Sequence, residues 1–298
     1  MPRRSRRVRR LLTLAVLLVG AVMLLRRLAS DAVLPFQAPG IGIVEVRGVI
    51  AEADDVVETL KDFGESASVA AVVLRVESPG GAVGPSQEIY SAIGRLREKK
   101  PVVASLGSLA ASGGYYVASA CKPIVANPGT LTGSIGVIMA VRNVRALADW
   151  AGVKETVIKS APYKDIANPL REMTPEEQAI LQRMVDDVHG QFVGAVAAGR
   201  GMNEAAVRQL ADGRLFSGAQ AQDLGLVDEL GGLAEAVTLA AKAAGIEGEP
   251  RTIRSGRRRL PFADWIGSLV GLARSDLLFG RLPSGPLFLY LGQGVEPQ

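Results

Sequence analysis

From Ile41 onward, short apolar runs alternate with segments of helical periodicity. The runs IGIVEV (41–46), VAAVVLRV (69–76), PVVASL (101–106), KPIVAN (122–127), SIGVIMAV (134–141) and VKETVIK (153–159) predict strands. Residues 52–63, 83–98 and 143–151 predict helices between them. Strand-helix alternation at this spacing implies crossover units, a mostly parallel sheet and an α/β fold. From Thr174 the texture turns purely helical. Thr174 reads as an N-cap, Pro175 as the first helical residue and Glu176 and Glu177 as an acidic first turn, opening a helix that runs to about Ala198. Shorter helices are expected at 203–210, 217–223 and 232–244. No internal repeat of 20–50 residues is visible.

The ends of the chain follow another pattern. Leu11 to Leu25 is an uncharged run of 15 residues, preceded by Arg3, Arg4, Arg6, Arg7, Arg9 and Arg10 and followed by Arg26 and Arg27. It is shorter than the roughly 20 residues that span a bilayer core. Snorkelling arginines and the apolar pair Leu28-Ala29 lengthen its reach. The expectation is one N-terminal transmembrane helix in the cytoplasmic (inner) membrane. The excess of arginines before it keeps the amino end in the cytoplasm, so the remainder faces the periplasm or exterior. A cleavable signal peptide is the alternative, with Ser30-Asp31-Ala32 as its small-x-small site; Arg26 and Arg27 argue against cleavage. At the other end, 246–262 reads as a linker. The stretch 263–282 has apolar residues at roughly helical spacing, suiting either a helix packed on a partner subunit or a basic amphipathic segment on an anionic membrane. The expected division is 1–30 as basic terminus and anchor, 31–250 as the central domain, and 251–298 as a basic, apolar tail.

Composition narrows the chemistry. Of 298 residues, 48% are hydrophobic and 21% charged, which is globular and long enough for a full core. The single cysteine, Cys121, excludes an intrachain disulfide and a cysteine zinc site. The single histidine, His189, excludes a multi-histidine metal site. The net charge of +4 divides into +8 over residues 1–27, +4 over 251–298 and −8 between them. An acidic centre with basic ends is not the footprint of a nucleic-acid binder.

Three glycine-rich turns adjoin strands. Glu77-Ser78-Pro79-Gly80-Gly81 follows VVLRV and precedes a helix. It is either an ordinary tight turn or, through its backbone N–H groups, an oxyanion site, and no P-loop pattern is present. Gly107-Ser108-Leu109-Ala110-Ala111-Ser112-Gly113-Gly114 follows PVVASL. A serine opening a helix stands near free N–H groups and the positive dipole end, which suits a nucleophile or a simple cap. Local sequence leaves Ser112 and Ser108 both open. The third turn, Leu131-Thr132-Gly133-Ser134-Ile135-Gly136, offers Ser134 as a turn residue or a hydrogen-bond partner.

A serine nucleophile needs a base. His189 lies inside the helix after Thr174, with no glycine-rich strand end beside it. Lys164, in Ser160-Ala161-Pro162-Tyr163-Lys164-Asp165, is the other option. A lysine serves as base only if its surroundings lower its pKa by several units.

Taken together, ESPGG, ASGGYY, LTGSIGV and a YKD loop followed by NPLREMTPEE resemble the signal peptide peptidase A family, membrane-anchored serine-lysine peptidases. The likeness runs from about Ile41 to Ala244 and includes GRGM (199–202), ADGRLFSGAQA (211–221) and LGLVDELGG (224–232). SPGG is also shared with Clp proteases. Glu77 departs from the small polar residue usual before SPGG. The resemblance implies Ser112 as nucleophile, Lys164 as general base, Ser134 as the residue that orients the lysine, and the N–H groups of Gly81 and Gly113 as oxyanion donors. It implies a Clp/crotonase-like fold of stacked ββα units with C-terminal helices. It also implies a ring-like homo-oligomer whose dyad is shared between subunits, as in the short, single-domain members. The expected substrates are remnant signal peptides and other apolar membrane-proximal peptides, with no cofactor and no metal. Two rivals remain: a crotonase-like acyl-CoA enzyme, and a non-catalytic membrane scaffold on the same fold.

Overall fold

In this computed structural model the described residues are 20–21, 39–254 and, for the backbone, 287–289. The chain divides after Pro39. In the first unit Gly20 and Ala21 are helical. The rest of the Leu11–Leu25 run and the stretch 263–282 lie outside the described residues, so the expectations for an anchor and a tail helix fall there. Among the described residues, no helix is long and apolar enough to cross a membrane.

The second unit starts with β1 (Gly40–Arg47), α1 (Asp54–Glu65), β2 (Val69–Ser78), β3 (Gly80–Ala82), α2 (Val83–Arg97), β4 (Val102–Ala111) and α3 (Gly113–Ser119). β5 (Ile124–Ala126), β6 (Leu131–Gly133), α4 (Arg145–Trp150), α5 (Pro175–Arg200), α6 (Glu204–Leu210), β7 (Leu215–Ser217), α7 (Gly218–Asp223), β8 (Glu229–Leu230), α8 (Leu233–Ala243) and β9 (Thr252–Arg254) follow. The main sheet runs β7-β6-β4-β2-β1-β9, with β5 joining β4 to β8. Its pairs are parallel except β6 with β7.

Side-chain alternation explains why the strands read as continuous apolar runs. On β2, Val72, Leu74 and Val76 face one large cluster with Ile89 and Ile93 of α2, Val117 of α3 and Phe192 and Val196 of α5. Ala71 and Val73 face the other side, against Ala236, Ala240 and Ala241 of α8. Both faces are covered, so neither can be polar.

β4 positions the site. Along one edge it pairs with β2; along the other it pairs first with β5, through Ala104–Leu106, and then with β6, through Leu109–Ala111. The register with β2 steps from Val76↔Leu106 to Ser78↔Ala110, so β4 carries a bulge at this point. Its strand therefore continues through the glycine-rich turn read after Leu106.

Two expected strands do not form. Residues 134–141 and 153–159 make none; the paired segment is Leu131–Gly133. Val153 is 54% and Ile158 95% exposed. Among the described residues no strand pairs with 153–159, so a β-branched run there finds no ladder. The linker reading also gives way in part, since Thr252–Arg254 is a strand paired with Ile41–Ile43. A further strand, β10 (Leu287–Leu289), pairs antiparallel with β3, Phe288 opposite Gly81.

Candidate active site

Ser112 sits between the end of β4 and the start of α3, 1% exposed. Its backbone has φ 53° and ψ −119°. A non-glycine residue there costs about 1–3 kcal/mol and persists only when its surroundings hold it. The surroundings are visible: Ser112 N–H donates to Gly133 O at 2.8 Å, and Tyr116 N–H donates to Ser112 O at 2.8 Å. Gly114 is required behind it, because a Cβ would stand 2.7 Å from Ser78 O.

Ser134 follows β6 as Ser112 follows β4. The last register pair of these parallel neighbours is Ala111↔Gly133. Ser134 is 7% exposed and has φ 49°, and its N–H donates to Arg214 O at 2.8 Å. Ser108 differs from both: it is exposed on the bulge of an extended strand.

Gly81 lies on β3. Gly80 O accepts from Ile50 N–H (2.9 Å) and Ala82 N–H donates to Ile50 O (2.7 Å). By strand alternation Gly81 N–H points to the opposite edge, the one β10 takes. A Cβ on Gly81 would lie 2.1 Å from Ile50 O, so only glycine fits. The N–H groups of Gly81 and Gly113 thus come from two separate turns flanking the β2–β4 end of the sheet.

Glu77, the departure noted in ESPGG, has a definite task. Its carboxylate accepts from Ser108 N–H at 2.9 Å and Leu109 N–H at 3.1 Å, with Arg75 at 3.8 Å. Gly107 O accepts from Thr130 Oγ1, and Ala110 O from Thr132 Oγ1, both at 2.7 Å. Side chains therefore satisfy the backbone groups that the bulge withdraws from the ladder, and they steer β4 into Ser112. Sequence reading missed this role, although an acid at the inner end of a buried strand was its signal.

Lys164 is exposed, in a turn where its N–H donates to Ala161 O at 3.3 Å. Among the described residues, no hydrogen bond joins it to the buried Ser112. Within one chain the structure brings Ser112, Ser134, Gly81 and Gly113 to one end of the sheet and leaves Lys164 on an outlying arm. His189 is closer than its place in a helix suggested. With Ser134, Gln182, Asp186 and Asp212 it lines a cavity of about 510 Å³, and its Nε2 is buried with no hydrogen-bond partner among the described residues.

Cys121 is fully buried, and burial pushes its thiol up to about 12, so it is no rival nucleophile. Among the described residues, no group of three His, Cys, Asp or Glu is arranged to hold a metal ion.

The chain is similar to known peptidases. Residues 94–247 match the model of peptidase family S49. The chain is 50% identical over 206 residues to "Putative protease slr0021" of Synechocystis sp., covering 68% of this chain and 74% of that one. It is 39% identical over 173 residues to "Putative signal peptide peptidase SppA" of Enterococcus faecium, covering 58% and 50%. It is 33% identical over 213 residues to "Serine protease SPPA, chloroplastic" of Arabidopsis thaliana, covering 71% of this chain and 30% of that larger protein.

Proposed function

The chain belongs to peptidase family S49, the signal peptide peptidase A family of serine proteases, and on that premise we propose a Ser112–Lys164 dyad assembled between two copies of the chain. The observation that carries it is the pairing of a buried, conformationally strained Ser112 with an exposed Lys164 on a separate arm. A partner's arm supplies the amine beside Ser134. Neutral Lys164 Nζ takes the Ser112 hydroxyl proton as Oγ attacks a peptide carbonyl. The N–H groups of Gly81 and Gly113 stabilise the oxyanion. The lysine returns its proton to the departing amine. Water, deprotonated by the same lysine, then releases the acyl group and restores Ser112.

The fold that suits this chemistry is the Clp/crotonase-like one of stacked ββα units, closed into a ring. An extended substrate that displaces Leu287–Leu289 from the edge of β3 takes its place as an antiparallel strand and uncovers Gly81 N–H. The substrates are apolar, membrane-proximal peptides, remnant signal peptides among them. The Leu11–Leu25 run anchors the enzyme in the cytoplasmic membrane with the peptidase domain on the outer face.

A fluorophosphonate probe on the detergent-solubilised full chain tests the reading. Ser112 takes the label, and Ser112→Ala and Lys164→Ala both lose turnover without unfolding. His189→Ala keeps most activity. A dead His189→Ala together with an active Lys164→Ala refutes the lysine base.

A further inference from the structure

The lysine-bearing arm has little apolar anchorage: Val137, near its start, packs partly buried against the main cluster. From Gly136 to Glu176 no residue is buried. A line of four charged side chains fastens it to the body instead. Asp165, next in sequence to Lys164, accepts from Lys159 Nζ at 2.5 Å and Arg171 Nε at 3.0 Å. Arg171 Nη2 also donates to the Asp165 carbonyl at 3.1 Å. The same guanidinium grips Glu177 bidentately, Nη1 to Oε2 at 2.7 Å and Nη2 to Oε1 at 2.5 Å. Glu177 is 3% exposed and closes the capping box that opens α5, accepting from Thr174 N–H at 3.0 Å. Arg171 thus joins the Lys164 turn to the first turn of a 26-residue helix.

The charges matter as much as the tether. A carboxylate beside a lysine favours its ammonium form, the opposite of what a base requires. Asp165 and Glu177 are balanced by Lys159 and Arg171, so the group as a whole is neutral. The remaining charged side chains of the arm are either engaged elsewhere or exposed. Glu155 accepts from Asn168, Glu172 from Asn143, and Arg145 pairs with Asp149, while Arg142 and Lys154 are exposed. Lys164 itself is exposed. Arg171 and Lys159 hold the Asp165 carboxyl far below the usual carboxylate range, so it stays paired throughout the working pH range.

We propose that Arg171 is a positioning residue for the general base: it fixes the Lys164 turn to α5 and cancels the charge of Asp165, the next residue in sequence. The inference rests on Lys164 being the base. Its test is the pH profile of kcat/KM for the full chain on a fluorogenic apolar peptide, with folding followed by thermal melts. Arg171→Met leaves one uncompensated negative charge, and the acid limb moves up by about half to one pH unit while kcat falls. Arg171→Met/Glu177→Gln restores the charge balance and leaves no lone buried carboxylate. Its limb returns to the wild-type position while kcat stays low, because the tether is still gone. Arg171→Lys keeps the charge and loses the bidentate grip, so its limb is unmoved and its kcat is reduced. It serves if Arg171→Met does not fold. A wild-type limb in folded Arg171→Met, or a displaced limb in Arg171→Lys or the double variant, overturns the inference and leaves the base in place. A fully active Lys164→Ala overturns the base assignment beneath it, which is a separate result.

Discussion

Ser112 and Ser134 each follow directly on one of two register-paired residues, Ala111 and Gly133, and both have positive φ. Two parallel strands thus end in two adjacent serines whose backbones are bent out of the sheet. In the proposed reaction Ser112 Oγ is the nucleophile and Ser134 Oγ orients the amine that activates it. Ser134→Ala should lower kcat by about tenfold or more with little change in KM, since general-base assistance is worth about 10²–10⁴-fold and only its orientation is lost. Steady-state kinetics on the apolar peptide reads this. An unchanged kcat would leave Ser134 as a turn residue.

A dyad shared between copies has a direct signature. Ser112→Ala and Lys164→Ala, each inactive, should regain activity when mixed and reassembled. With unbiased symmetric assembly, about a quarter of the interfaces pair an intact serine with an intact lysine. Subunit exchange is followed with differently labelled preparations. Proven exchange with no recovered activity would put both residues in one chain.

Gly81 tolerates no side chain. Gly81→Ala drives a methyl against Ile50 O, at 2.1 Å before relaxation. Overpacking of this kind costs about 1–3 kcal/mol, and β3 moves with its N–H group. Lost turnover with a Tm lowered by several degrees is expected. Gly84→Ala, with open space around it, is the control and should be neutral or slightly stabilising.

Cys121 should resist alkylation by iodoacetamide at pH 8 in the folded protein and react once unfolded in guanidinium. Burial raises its folded pKa to about 12, so the neutral thiol is favoured in the folded state. The resulting stability is complete below the ordinary thiol pKa of about 8.5 and is lost as pH rises towards 12. Cys121→Ala should therefore show a shallower fall in Tm across that alkaline window. Equal slopes would place the alkaline loss in the buried tyrosines, such as Tyr115, whose pKa burial also raises.

Much of this was legible before the structure, for identifiable reasons. Runs buried on both faces, as in β1 and β2, declare themselves by composition alone. Thr174 as N-cap with Pro175 after it marked the start of α5 to the residue, because both signals are local. The misreadings were non-local. Val141, Val153 and Val157 suit a strand by propensity, and among the described residues no strand pairs with them. The bulge in β4 depends on Glu77, thirty-one residues before Ser108. The motifs named Ser112 and Lys164 together, yet no spacing along one chain could show them apart. His189 was discounted for lying within a helix, but that helix passes the cavity beside Ser134.

The edge of β3 has one more consequence. What it offers is main chain: alternate N–H and C=O groups of Gly80, Gly81 and Ala82, the central pair turned outward. Such an edge reads conformation ahead of sequence, because every residue except proline presents the same two groups to it. Strands inside a finished protein have spent those groups on their neighbours; a segment lying loose and extended has not. On the proposed reading, in which substrate takes the place of Leu287–Leu289 on this edge, the enzyme would sort its clientele by whether it is folded before any side chain is read.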